Sequence, residues 1–237
     1  MNAETRERSF WSYLGCGCGL LAALGLVAAV AFSWFIYRTG KEWQRGIADP
    51  RLRAERTRRL LPYDELPAGY HPVGGLSIPF FLDLAIFSDR EPQPGHRERR
   101  LEGRGFVYVN ARTWGGKREK LRRYFSGEGR NPEWLERADI EIADERPIGH
   151  GTVEVHGRQV AYTTRRARVV TAGASRRSIT AMFIVPCPGD QRLRMGIWFA
   201  PDPRPDQPEA PADLAGTPAD PAAIRDFAGH FRFCPGD

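Results

Sequence analysis

The sequence predicts an α+β protein, with an N-terminal transmembrane helix followed by one domain that holds an antiparallel sheet and two or three helices. Three observations predict it. Residues 11–37 carry no formally charged side chain, and at about 1.5 Å per residue they are long enough to cross a hydrocarbon core of about 30 Å. Between Gly105 and Phe199 several short segments alternate apolar and polar residues with a period of two, which is the pattern of half-buried strands. Helical spacing is confined to a few isolated stretches, so helices and strands segregate.

The apolar run has aromatic residues at both ends, Trp11 and Tyr13 at one and Trp34 and Tyr37 at the other, where amphipathic rings favour the headgroup region. It exceeds the roughly 7 to 15 apolar residues of a cleaved signal, and no small-x-small site precedes the polar exit at Arg38. The reading is an uncleaved signal anchor of a single-pass membrane protein. Cys16 and Cys18 open the run and read as buried small residues, with acylation as the alternative. The domain plan is therefore 1–10 as a tail, 11–37 as the span, 38–65 as a basic juxtamembrane segment and 66–237 as the globular domain. Within that domain, 200–220 is a Pro-rich loop.

The net charge is +6, with arginine far outnumbering the lysines at 41, 117 and 120. No stretch interleaves exposed aromatics with a basic patch in the manner of a nucleic-acid module, so no nucleic acid is expected as a partner. Residues 38–59 hold eight basic side chains against three acidic ones. That bias, read by the positive-inside rule, puts the domain in the cytoplasm. Its alternative reading is a solvated helix over 50–61, with Leu52 and Leu60 touching the domain and the arginines in water.

In chain order, Leu66-Pro67-Ala68-Gly69-Tyr70 and Gly74-Gly75 read as turns, and 76–87 as one central strand. In that strand Phe80, Leu82, Leu84 and Ile86 oppose Phe81, Asp83, Ala85 and Phe87. Residues 89–103 form a charged loop, and 105–112 a second strand with Phe106 and Tyr108 opposite Val107 and Val109. An amphipathic helix follows at 117–125, with Leu121, Tyr124 and Phe125 on one face, and a short helix starts at Asn131-Pro132. Residues 152–162 form a hairpin turning at 156–159. Strands at 160–170, 178–185 and 193–199 complete an antiparallel meander. Asp220-Pro221 opens a last helix through Ala228, closed by Gly229 and followed by a short strand at 231–234.

His150, Thr152, Glu154 and His156 recur with period two, so one strand face would present His, Glu and His to a metal. Val153 and Val155 on the opposite face are better core residues, which sets the His/Glu side in solvent. No metal and no cofactor is therefore expected, and His150, Glu154 and His156 stand only as candidates. Cys187 and Cys234 each precede Pro-Gly-Asp at a strand end. If the last strand pairs beside 178–185 the two thiols bridge, and such a bond persists in oxidising compartments. That argues for an extracytoplasmic domain, against the charge count.

The segment Leu66-Pro67-Ala68-Gly69-Tyr70, followed by Leu76-Ser77-Ile78-Pro79 and the order of strands, helix, meander and last helix, resembles PsbP/Mog1-type α+β domains and single-pass bacterial membrane proteins. The resemblance implies a binding or assembly module without common catalytic residues. The sequence lacks G-x-S-x-G, H-E-x-x-H, P-loop and G-x-G-x-x-G motifs. The expected function is a membrane-anchored, non-catalytic accessory or binding domain of a bacterial cell envelope, with the lipid bilayer as a partner through 11–37 and a protein partner left open. The alternatives are a tethered hydrolase or metal-dependent enzyme using His150, Glu154 or His156 with Asp83 as a buried carboxylate, and a basic domain binding anionic lipid or nucleic acid.

Overall fold

The chain divides into two units, Met1–Arg45 and Gly46–Asp237. The structure is a computed structural model, and it describes residues 49–92, 103–112, 141–171, 174–205 and 214–237. The expected span at 11–37 and the expected helices at 117–125 and from Asn131 lie outside the described residues. Among the described residues no helix is long and apolar enough to cross a membrane.

The described part of the second unit has a mixed α+β fold. Helix α1 (Pro50–Leu60) leads into strands β1 (His71–Ile78), β2 (Leu82–Ser88), β3 (Gly105–Arg112), β4 (Glu141–Val155), β5 (Arg158–Thr171), β6 (Ala174–Val185) and β7 (Arg192–Pro201), and helix α2 (Pro221–Gly229) follows. The seven strands form one sheet in the order β1-β2-β3-β7-β6-β5-β4, and every neighbouring pair is antiparallel. Two meanders, β1 to β3 and β4 to β7, thus meet where β3 pairs with β7.

Period-two alternation gives the sheet two apolar faces. Ala85, Phe87, Phe106, Tyr108, Ala181, Phe183, Val185 and Trp198 lie in one cluster, together with Leu61 after α1 and with Ile224, Phe227 and Ala228 of α2. Val107, Met182, Leu193, Met195, Ile197 and Phe199 form the second. Both described helices thus pack on the first face. Each starts in the same way: Asp49 and Asp220 cap α1 and α2 with side chains that accept backbone amides of the first turn, and a proline follows at once.

Several expectations change. The stretch 76–87 is not one central strand. Ile78 pairs with Leu82 and the Phe81 amide donates to the Ile78 carbonyl at 3.0 Å, so the chain turns at Pro79-Phe80. The resulting β2 lies second from the sheet edge. The apolar alternation runs unbroken through the turn, which hid it.

Gly74 and Gly75 belong to β1 instead of a turn. A Cβ at Gly75 would lie 2.6 Å from Leu60 Cδ1, so the missing side chain makes room for α1 against the sheet. Finally, the segment read as juxtamembrane folds into the domain from Pro50 onward. Leu61 and Tyr63 are core residues, and Arg53, expected in water, is 4% exposed with its guanidinium on the Pro92 carbonyl. Leu52, expected to touch the domain, stays exposed.

The 152–162 hairpin forms with a tighter loop than expected. Val155 pairs with Arg158, and His156 and Gly157 take φ of 50° and 70°, as a two-residue turn matched to strand twist requires.

The packing of the first face depends on Gly196 of β7, opposite Phe183 of β6. A Cβ there would fall 2.3 Å from Phe183 Cζ and 2.8 Å from Phe106 Cε2. Replacing Gly196 by alanine should destabilise by about 1 to 3 kcal/mol through overpacking. Phe183→Ala should cost about 3 to 5 kcal/mol through the cavity it leaves. Urea melts of both variants measure this, and a loss below about 1 kcal/mol for Phe183→Ala would mean its ring does not fill the core.

Candidate functional site

At the end of the first face where β1 and β2 join, the apolar layer gives way to a polar cluster drawn from four strands. Asp83 of β2 stands opposite Ser77 of β1 and Asn110 of β3. Arg192 and Arg194 open β7, and Asp190 lies two residues before that strand. Pairing sets these side chains on one face because Asn110 registers with Arg194 and Arg112 with Arg192.

The Asp83 carboxylate is held from three sides. Ser77 Oγ donates to Oδ1 at 2.7 Å, while Asn110 Nδ2 at 3.1 Å and Arg192 Nη1 at 2.7 Å donate to Oδ2. Asp190 accepts the Arg192 amide at 2.9 Å and pairs with the Arg194 guanidinium. The Arg192 amide, and after it the Arg194 charge, hold the Asp190 carboxyl below the usual carboxylate range despite opposition from partial burial. Tyr108, beneath Arg194, is pushed up to about 12, chiefly by burial.

Charges in this cluster are answered in pairs, and the two shifts keep Asp190 ionised and Tyr108 protonated at neutral pH. One donor and one acceptor remain: Arg194 Nη1 and Asn110 Oδ1 are buried without a hydrogen-bond partner among the described residues, on side chains only 6% and 7% exposed. The Ser77 hydroxyl is held on Oδ1 of Asp83, whose other oxygen is taken up by Asn110 and Arg192.

The sequence-derived candidates do not join it. His150 and Glu154 lie exposed along β4, and His156 sits in the turn, where its Nε2 donates to the Phe231 carbonyl at 3.0 Å. Among the described residues no group of three His, Cys, Asp or Glu is placed to hold a metal. Asp83 lies in the cluster described above, half-buried and paired, away from all three.

Cys187 and Cys234 form a disulfide with their Cα atoms 5.6 Å apart. The expected reason was wrong. Segment 231–234 does not pair beside β6. It crosses the first face, where Phe231 makes a single bridge with Tyr63, the Arg232 amide donates to the Pro62 carbonyl at 2.8 Å, and Phe233 packs on Tyr108 and Phe183.

No family model matches the chain, and no curated protein is significantly similar to it.

Sequence reasoning missed Asn110, Asp190, Arg192 and Arg194. The alternation of Leu193, Met195, Ile197 and Phe199 marks one face of β7, and no role was assigned to the other, where Arg192 and Arg194 lead to Gly196 and Trp198. The signal was Trp198, whose size already marked that face as buried.

A carboxyl with a lowered folded pKa contributes stability above its unfolded value and loses it as pH falls through the folded value. Asp190→Asn should therefore lower stability at neutral pH and flatten its fall below about pH 4. Denaturant melts across that range check this, and parallel curves for the two proteins would show that Asp190 contributes nothing through its charge.

Proposed function

We propose that the chain is a membrane-anchored, non-catalytic accessory or binding domain of a bacterial cell envelope, carried by residues 11–37 as a single span, with the domain on the outer side. The observation that carries the reading is the Cys187–Cys234 bridge, because a bond of this kind is kept reduced in the cytoplasm and persists outside it. The paired charges of the Asp83 cluster support recognition over chemistry.

The opposing argument is the basic run after the span, which favours a cytoplasmic domain. Part of that run has another role. Arg53 is buried against Pro92, Arg58 lies over the Tyr63 ring at 4.9 Å and Arg59 pairs with Glu55 at 2.8 Å. Arg53 and Arg58 thus serve the packing of α1, and Arg59 an exposed pair within the helix, which weakens them as a record of selection for topology.

The test places a thiol on the exposed face of β4, Glu154→Cys, in a Cys16→Ser/Cys18→Ser background that keeps the bridge. A membrane-impermeant maleimide applied to whole cells is expected to label residue 154. Labelling only after lysis would put the domain in the cytoplasm and sink the proposal.

A further inference from the structure

The two edge strands of the sheet, β1 and β4, are built differently. In β1 the ladder is interrupted by Pro72 and by a register shift between Pro72 and Gly74, and Leu60 of α1 packs on the strand at Gly75. Proline, bulges and a covering helix are the usual means of stopping an edge from pairing again. In β4 the irregularities end early. Its register shifts lie between Ala143 and Arg146 and between Pro147 and Gly149, and from Gly149 to Val155 the ladder with β5 is regular. That run holds no proline, no lysine and no bulge.

The two-residue turn at His156-Gly157 fixes which way the backbone of this run points. Val155 and Arg158 close the hairpin as a hydrogen-bonded pair, so Val153 and Gly151 also bond to β5. The amides and carbonyls of His150, Thr152 and Glu154 therefore face outward. Among the described residues no strand lies beyond β4. The side chains of the same three residues are exposed, whereas Val153 and Val155 are buried in the first face.

This edge is complementary to itself. The regular run Gly149–Val155 has Thr152 at its midpoint, and His150 and Glu154 stand at equal distances on either side of it. When two copies pair antiparallel about that midpoint, Thr152 meets Thr152, and His150 meets Glu154 of the second copy on both sides of the two-fold axis. All three outward-facing residues then exchange both backbone hydrogen bonds with their opposite numbers. The imidazole N–H and the carboxylate become direct cross-strand neighbours, a favourable pairing. A parallel pair would instead set His150 on His150 and Glu154 on Glu154. A shift of two residues moves Glu154 off His150.

We propose that the domain pairs with a second copy of itself through the outer edge of β4, antiparallel about Thr152, so that the sheet continues across both copies. The pairing stands independently of the reading of 11–37 as a span. A single strand pair buries less than the roughly 1,200 Å² of a stable complex, so the dimer is reversible.

The experiment uses the full chain in detergent, carrying Cys16→Ser and Cys18→Ser with the Cys187–Cys234 bridge intact, and a methylene-bridged bis-methanethiosulfonate as a short thiol cross-linker. In the proposed pair, residue 152 lies about 5.5 Å from its mate between Cα atoms, as does 150 from 154 of the other copy, while 150 from 150 and 154 from 154 are about 15 Å apart. Thr152→Cys is expected to cross-link to itself. His150→Cys and Glu154→Cys are each expected to stay uncoupled alone and to couple when mixed, with about tenfold the yield of either alone.

Self-coupling of His150→Cys as efficient as that of Thr152→Cys would mean a parallel pair and overturn the proposal. So would the absence of a dimer product at 152, which would leave the edge bare or give it to another strand. Sedimentation equilibrium supplies a second arm: Glu154→Lys should weaken the dimer about tenfold by setting lysine against His150, and adding His150→Glu should restore it. A dimer that ignores Glu154→Lys, or that the double variant fails to restore, also overturns the proposal.

Discussion

The first face of the sheet is organised around one ring, that of Phe231. Tyr63, Phe87, Phe106, Phe227 and Phe233 surround it at centroid distances of 4.9 to 6.3 Å, so residues just after α1, in β2 and β3, in α2 and beyond all meet there. Offset and edge-on arrangements of this kind add roughly 0.5 to 1.5 kcal/mol per pair beyond burial. The segment that delivers Phe231 has no strand ladder to hold it, and its position rests on a few specific ties. Its backbone bonds Pro62, His156 reaches its carbonyl, the Cys187–Cys234 bridge fixes it to the end of β6, and Asp237 accepts the Cys234 amide while pairing with Arg158 at 2.9 Å. Closing that loop constrains the unfolded chain by about 4 kcal/mol on a chain-entropy account.

This arrangement explains how two distant parts of the chain become one core. The residues after α1 supply Leu61 and Tyr63, and segment 231–234 locks them against β2 and β3. On the same face Trp198 stacks on Phe227 at 4.3 Å and donates to the Tyr70 hydroxyl at 2.7 Å. Burial pushes the Tyr70 hydroxyl up to about 12, so it stays neutral and keeps accepting that bond through the physiological range. The apolar layer ends at the Asp83 cluster, where paired charges replace rings and the sheet edge opens toward the Phe80 tip.

Much of this was legible in the sequence because local signals agreed with the global fold. Strand β3 came out residue for residue, β5 to β7 came out with bounds a few residues short, and α2 came out with its Asp220-Pro221 start, since alternation and capping act within a few residues. What was missed depends on partners far away in sequence. Pro79-Phe80-Phe81 prolongs an apolar alternation while the backbone reverses, Gly75 marks the approach of Leu60, and Arg53 looks solvated until Pro92 is seen beside it. The disulfide was read from two matching Cys-Pro-Gly-Asp segments, although the neighbour assumed for it was wrong. The Asp83 cluster was hidden because its arginines share a strand with an apolar face that looked sufficient as a core.

The central claim is that segment 231–237 is an integral part of the first face, held there by the bridge. Amide hydrogen exchange of the full chain, oxidised and then reduced under otherwise native conditions, tests it most directly. Reduction should release the Arg232 and Cys234 amides first and then loosen Tyr63 and the strands beneath Phe231, with the β4–β5 hairpin loop at His156 following because it loses its carbonyl partner. Exchange at Arg232 and Cys234 that is already fast in the oxidised protein, or that does not change on reduction, would contradict the account.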